Sequence, residues 1–180
     1  TAAGFAPGIA WVIVTDVNKP DLQITGVSVP VINVPALGEF SYSVSVTNTG
    51  FATAPSGVLV HVVLSADANV DANDMVLAEH IISAPIIVGA TVVVQDTSAM
   101  PAAAGNYHLL FRVNPLSAIT ELLYTNNTSA PMGVTVAAAF TATASVLQPW
   151  YFRGTTVPVT GSAQWLDGSP AANQEVEVYV

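Results

Sequence analysis

The chain has 180 residues, of which 52% are hydrophobic and only 8% are charged, so it has enough apolar side chains for a sizeable core. Three cations against twelve carboxylates give a formal net charge of −9, which repels phosphate backbones and anionic lipid headgroups. The absence of cysteine excludes a disulfide framework and a thiolate zinc site. Nucleic-acid partners are therefore not expected, and no apolar run approaches the roughly 20 residues that direct membrane insertion by a helix requires.

Apolar and polar residues alternate at a spacing of two along much of the chain, which is the period of half-buried β-strands. Gly, Pro, Asn and Asp punctuate the chain between these runs, and no segment shows a convincing helical period. The predicted strands are 10–17, 21–29, 40–46, 58–64, 77–83, 90–96, 105–114, 133–146, 155–165 and 174–180. Because an α/β fold needs helical crossovers of about a dozen residues, the pattern predicts an all-β, antiparallel β-sandwich.

Five short motifs follow one another in a fixed order between residues 20 and 136. They are Pro20-Asp21-Leu22, Asn48-Thr49-Gly50, Leu64-Ser65-Ala66-Asp67, Gly105-Asn106-Tyr107, and Glu121 followed by Asn126-Asn127. In this order the segment resembles the CARDB domain, a cell-adhesion-related, immunoglobulin-like module of bacterial and archaeal surface proteins. The family usually has more acids in its closing segment, of which this chain keeps only Glu121. The resemblance implies an immunoglobulin-like sandwich in a secreted or cell-surface protein, with a spacer, adhesion or assembly role and no catalysis.

The chain is predicted to divide into three parts. Residues 1–18 are an N-terminal strand segment, 19–136 a CARDB-like immunoglobulin sandwich, and 137–180 a partial immunoglobulin-like domain. The stretch from Gly161 to Ala172 resembles the opening half of another bacterial immunoglobulin-like repeat. Three antiparallel strands leave an apolar face and an open edge uncovered, and such edges recruit strands from other chains.

Two explanations of these ends stay open. The residues are a window on a longer multidomain chain, in which case neighbouring domains cover the exposed surfaces. Alternatively, residues 10–17 of one subunit complete the half-sandwich of the next by strand donation, which builds a head-to-tail filament. The expected partners are therefore neighbouring copies or domains of the same protein. The candidate assembly strand is centred on Trp11, Val12, Ile13 and Val14.

Carboxylate and amide side chains are dense in the loop that follows the predicted strand 58–64. The candidate ligands are Asp67, Asn69, Asp71, Asn73 and Asp74. Oxygen ligands at this spacing suit a hard cation, and calcium is the natural candidate cofactor. The loop lacks the glycine and the glutamate of an EF-hand, so the site would be irregular. The alternative is an acidic hairpin loop whose Asp and Asn side chains only cap turns.

Two further groups of residues suggest sugar chemistry. Trp150, Tyr151 and Trp165 suit a stacking platform for a surface glycan, although aromatic residues in a sandwich more often pack in a core or between domains. Asn126 and Asn127 begin two overlapping Asn-x-Ser/Thr acceptors for glycosylation.

Patterns that indicate catalysis are weak. The three histidines lie on different predicted strands and lack the spacing of metal ligands: they are His61, His80 and His108. The sequence also contains no Gly-x-Ser-x-Gly pentapeptide. Acids on strands without an aromatic cleft are usually solvated, and this applies to Glu39, Glu79 and Glu121. The sequence therefore predicts no enzyme. It favours an extracellular structural or assembly module, and a carbohydrate- or surface-ligand-binding adhesion module is the alternative.

Overall fold

The computed structural model describes residues 18–146, 153–154, 157, 159–165 and 170. These residues contain strands and turns but no helix, and therefore no helix that could cross a membrane. The strands are β1 (Leu22–Ser28), β2 (Asn33–Pro35), β3 (Glu39–Asn48), β4 (Val58–Ser65), β5 (Met75–Ile82), β6 (Thr91–Ala99), β7 (Gly105–Val113), β8 (Met132–Ala137), β9 (Phe140–Val146) and β10 (Val159–Trp165). The predicted strands 10–17 and 174–180 lie outside the described residues.

Two sheets form the sandwich. One has three strands in the order β1-β3-β6, and the other has five in the order β2-β8-β7-β4-β5. The alternating residues of β3 from Phe40 to Val46 are buried against alternating residues of β4 from Val58 to Leu64. Phe111 on β7 is fully buried and lies with its ring centroid 5.5 Å from that of Tyr42. The period of two therefore predicted which side chains face the core, and the all-β sandwich is confirmed.

The pairing of β2 differs from the expected antiparallel arrangement. β2 pairs in parallel with β8, with Asn33 opposite Thr135 and Pro35 opposite Ala137. The chain leaves the three-stranded sheet after β1 and crosses to the other sheet. There it runs beside the last strand of the sandwich in the same direction.

The predicted strand 133–146 is two strands. β8 ends at Ala137 and belongs to the five-stranded sheet, whereas β9 begins at Phe140 and pairs with β10 in a separate two-stranded sheet. Hydroxyl pairs such as Thr143 with Ser162 join these two strands, at 3.1 Å between the oxygen atoms. β9 and β10 make up most of what the structure describes of the predicted part 137–180. That these residues form a separate domain stays a prediction.

The first strand contains a β-bulge. Leu22 and Ile24 face the core at even positions, and Val27 and Val29 face it at odd positions. The register with β3 shifts between Ile24 and Gly26, so Thr25 is the extra residue that changes the parity. The bulge lies on a strand at the end of its sheet.

Candidate functional site

Glu121 is at the centre of a buried polar cluster where the loop between β7 and β8 meets the start of β1. Its side chain is only 4% exposed, which corrects the expectation that this acid is solvated on a strand. Oε2 accepts a hydrogen bond from the backbone N–H of Leu22 at 2.5 Å. Oε1 accepts from the amide Nδ2 atoms of Asn114 at 2.5 Å and Asn127 at 2.8 Å. We call these four residues the Glu121 clasp.

The environment of the clasp changes the acidity of Glu121. Burial raises the pKa of its carboxyl group, because a charged carboxylate loses hydration in the interior. The three hydrogen bonds from Asn114, Leu22 and Asn127 oppose this rise, and the nearby charge of Asp21 adds to it. The carboxyl group joins parts of the chain 99 residues apart, so its role in this structure is to hold the first strand in place.

Asn114 also shapes the loop that carries Glu121. Its φ of 47° lies in the left-handed region, which asparagine tolerates better than most residues. Its Oδ1 accepts from the N–H of Ile119 at 3.1 Å, and its Nδ2 donates to the carbonyl of the same residue at 2.7 Å. The side chain therefore closes the loop on itself and places Glu121 beside β1.

The two candidate glycan acceptors belong to the same region. Asn127 is 3% exposed, and its Nδ2, the atom that would carry a glycan, donates to Glu121 and to the carbonyl of Val113. The Nδ2 of Asn126 donates to Oδ1 of Asp21 at 3.0 Å. A glycan on Asn127 would require its amide group to leave the interior. In the sequence, the sign of this cluster was the motif of Glu121 followed by two asparagines. The resemblance to the CARDB family included this motif but gave its residues no role.

The acidic loop between β4 and β5 uses its carboxylates in local turns. Asp67 Oδ1 accepts from the N–H of Asn69, and Asp71 Oδ1 accepts from the N–H of Asn73, each at 2.7 Å. Asp74 Oδ2 accepts from the N–H of Asp71 at 2.7 Å. Within the described ranges, no group of three or more His, Cys, Asp or Glu side chains is arranged to hold a metal ion. Calcium binding by this loop stays a prediction.

The three histidines lie on β4, β5 and β7. Nε2 of His61 lies 2.9 Å from Oε1 of Glu79 on the neighbouring strand. Nε2 of His80 is hydrogen bonded to the hydroxyl of Tyr42 at 2.5 Å, and its Nδ1 is 3.8 Å from Oδ2 of Asp96. Burial and the charge of Asp96 raise the pKa of Tyr42 to about 12. The Tyr42–His80 contact links the two sheets.

Tyr42→Phe is expected to lower the free energy of unfolding by about 1 kcal/mol near neutral pH, because it removes one hydrogen bond and keeps the packed ring. The wild-type protein should also lose stability between pH 10 and about 12 relative to this variant. In that window the unfolded tyrosine releases its proton and the folded one keeps it. Urea unfolding at several pH values measures both effects. Tyr107→Phe is the control, because its hydroxyl makes only an exposed 3.3 Å contact with the carbonyl of Ala103.

The remaining candidate residues are only partly described. Trp165 lies on β10 with its ring centroid 5.8 Å from that of Phe140, edge to face. Trp150 and Tyr151 lie outside the described residues, as does the assembly strand from Trp11 to Val14. The proposed stacking platform stays a prediction.

Comparisons with known proteins match the sandwich. The CARDB family model matches residues 19–131, which is more than half of the chain. A crystal structure of a CARDB domain from Pyrococcus furiosus, in complex with di-metal ions, is 20% identical with a TM-score of 0.51 and covers 73% of this chain and 100% of that chain. A solution NMR structure of a CARDB domain from the same organism is 22% identical, also with a TM-score of 0.51, and covers 67% and 97%. A search of curated proteins found no match.

Proposed function

The chain belongs to the CARDB family of cell-adhesion-related, immunoglobulin-like modules, and on this premise we propose that it is a non-catalytic structural and assembly module outside the cell whose copies join head to tail by strand donation. CARDB is not a catalytic family, and its domains occur in surface or extracellular proteins. Beyond membership of the family, we propose that the copies polymerise, that the polymer depends on calcium and that the protein lies outside the cell.

The observation that carries the proposal is the isolated sheet of β9 and β10. Among the described residues these two strands form a sheet of their own, and the one further pairing is a single bridge from Gln164 on β10 to Pro170. Large apolar side chains on the pair are exposed, with Phe140 at 39%, Val146 at 48% and Val159 at 43%. A two-stranded hairpin is marginally stable by itself in water, and a free edge beside exposed apolar side chains favours the addition of another strand.

The candidate donor is the segment 10–17. Its four consecutive apolar residues from Trp11 to Val14 suit a strand that is buried in a partner. The low charge of the chain supports the same conclusion, because a subunit that buries much of its surface against neighbours avoids the cost of desolvating charged groups.

Negative-stain electron microscopy of the purified protein tests this proposal. We expect regular filaments from the full chain and monodisperse particles from a version that lacks residues 1–17. Ile13→Asp should act like the truncation, because it places a carboxylate on the donor strand, and Thr15→Ser is the matched control that should still polymerise. Circular dichroism checks that each variant keeps its β structure.

The same grids, repeated with a calcium chelator, test the acidic loop. Loss of filaments in chelator would support a cation at residues 67–74, and filaments that persist would remove calcium from the proposal. Monodisperse particles from the full chain under every condition would contradict polymerisation itself.

A further inference from the structure

We infer that the donated strand is received by the CARDB sandwich itself, in the groove between β1 and the segment that leads into β8. This inference rests on the strand donation proposed above and gives it an acceptor other than the β9–β10 edge. The groove has a volume of about 330 Å³. Its lining residues are Ile24, Thr25, Gly26, Val27, Ser129, Ala130, Pro131 and Met132. We call it the β1 groove.

The backbone at one wall of the β1 groove is open to pairing. Within the described part of the chain, β1 is the end strand of its sheet and its ladder runs to β3 alone. The start of its other edge is already used, because the N–H of Leu22 donates to Glu121 and the carbonyl of Pro20 accepts from the N–H of Leu122. Across the groove, β2 covers only the part of β8 from Thr135 to Ala137. Among the described residues, no strand pairs with the beginning of β8, at Met132, on that side. An incoming strand would therefore pair along the later part of this wall, from Ile24 to Ser28.

The floor of the groove is continuous with the core. Ile24 and Val27 are partly buried and pack against the buried cluster of the sandwich. The bulge at Thr25 brings both side chains to the same face although they are three positions apart. Apolar side chains of a donated strand would bury surface here, at about 25 cal/mol for each Å² removed from water.

The opposite side of the sandwich is closed by direct contacts between the sheets. The hydroxyl of Ser98 on β6 donates to the carbonyl of Leu77 on β5 at 3.1 Å. The Tyr42–His80 hydrogen bond closes the same side. The β1 groove is therefore the better acceptor of the two lateral sides.

The path of the chain before β1 favours a groove on a second copy. The carbonyl of Lys19 accepts from the N–H of Phe51 at 2.9 Å, and that of Asp21 accepts from the N–H of Thr49 at 2.7 Å. These bonds hold residues 19–21 against the segment that follows β3, on the side of the chain opposite the free edge of β1. A tight hairpin that returns residues 10–17 onto their own β1 would break these contacts. The segment of eight residues spans about 26 Å when extended, which is enough to cover the seven residues of β1 in a neighbour.

Engineered disulfides test the acceptor cleanly because the native chain has no cysteine. Chains that carry Thr15→Cys are mixed with chains that carry Thr25→Cys, oxidised, and separated without reductant. We expect mixed dimers at least about tenfold above those formed with Thr47→Cys, because a disulfide needs Cα atoms within about 7 Å. Thr47 is the matched control: its hydroxyl lies 2.8 Å from that of Thr25, but on β3, one strand further from the groove. Val14→Cys repeats the experiment with the other face of the donor.

A third acceptor, Thr160→Cys on β10, separates this inference from the proposed function. Mixed dimers with Thr160→Cys and none with Thr25→Cys would leave strand donation standing and overturn the β1 groove as acceptor. Filaments without either mixed dimer would overturn it as well. A chain with both Thr15→Cys and Thr25→Cys that closes only within itself would show addition in cis and overturn the inference. Monomers without any cross-link would refute both proposals.

Discussion

Glu121→Ala is expected to lower the free energy of unfolding by about 3–5 kcal/mol, because each buried donor left without an acceptor costs about 1–3 kcal/mol. Three N–H groups lose their acceptor at once: that of Leu22 and one from each of the side-chain amides of Asn114 and Asn127. Urea unfolding followed by circular dichroism measures the loss. Glu39→Ala is the control, because Glu39 is exposed and its removal should change stability by no more than about 0.5 kcal/mol. Equal losses in the two variants would contradict a specific role for the clasp.

Glu121→Gln separates the charge of this group from its shape. The glutamine oxygen can still accept from the two asparagines, but its NH₂ group would face the N–H of Leu22, which is also a donor. Because burial raises the pKa of Glu121 above its ordinary value of 4.5, the folded state holds the proton more tightly than the unfolded state. Stability from this group is therefore present at low pH and lost as pH rises through the raised pKa. The advantage of the wild-type protein over Glu121→Gln should shrink as pH rises above 4.5, and a constant difference would contradict the shift.

Gly50→Ala is expected to destabilise the domain by about 3 kcal/mol, since overpacking against rigid atoms is costly. An added Cβ would lie 2.4 Å from the backbone nitrogen of Asp21, 2.5 Å from the carbonyl oxygen of Lys19 and 2.5 Å from the carbonyl carbon of Pro20. Backbone atoms cannot move aside as a flexible side chain can. The chain before β1 must shift, so polymerisation should weaken together with stability.

Gly133→Ala is the matched control for this substitution. An added Cβ on Gly133 meets no atom within 4 Å, although this glycine also lies in the sandwich, on β8. Its free energy of unfolding should change by no more than about 0.5 kcal/mol. Thermal unfolding of both variants gives the comparison, and a Gly50→Ala protein as stable as Gly133→Ala would show that the 19–21 segment is not packed as described.

Local pattern was sufficient for the long strands because their burial follows the pleat. In β3 and β4 every second residue faces the other sheet, so the alternation of residue types from Phe40 to Val46 already indicates which face is buried. β2 shows no such alternation. It is three residues long, ends in Pro35, and depends on β8, about 100 positions later, for its pairing.

The buried acid was missed for a related reason. An acid in an apolar sequence is normally solvated, and Glu121 is buried only because donors from residues 22, 114 and 127 meet at its carboxylate. These positions are far apart in the chain and have no common period. Leu22, Glu121 and Asn127 belong to motifs that resemble those of the family, but the motifs did not indicate that these residues meet, and no motif contains Asn114. The split at Ala138 and Ala139 was equally hidden, because small apolar residues neither continue nor break a strand pattern.

The parallel pairing of β2 with β8 decides how the domain would respond to being pulled. In a head-to-tail filament, tension enters from the N-terminal side and leaves after Ala137. The hydrogen bonds from Thr135 N–H to Ile32 and from Ala36 N–H to Ala137 bracket the short parallel ladder, at 2.8 and 2.7 Å. Because the two strands run in the same direction, a force that draws β2 backwards and β8 forwards shears these bonds together and does not open them one after another. The shortest strand of the sandwich is therefore placed where it resists extension, so a filament of such domains would hold under a stretching force.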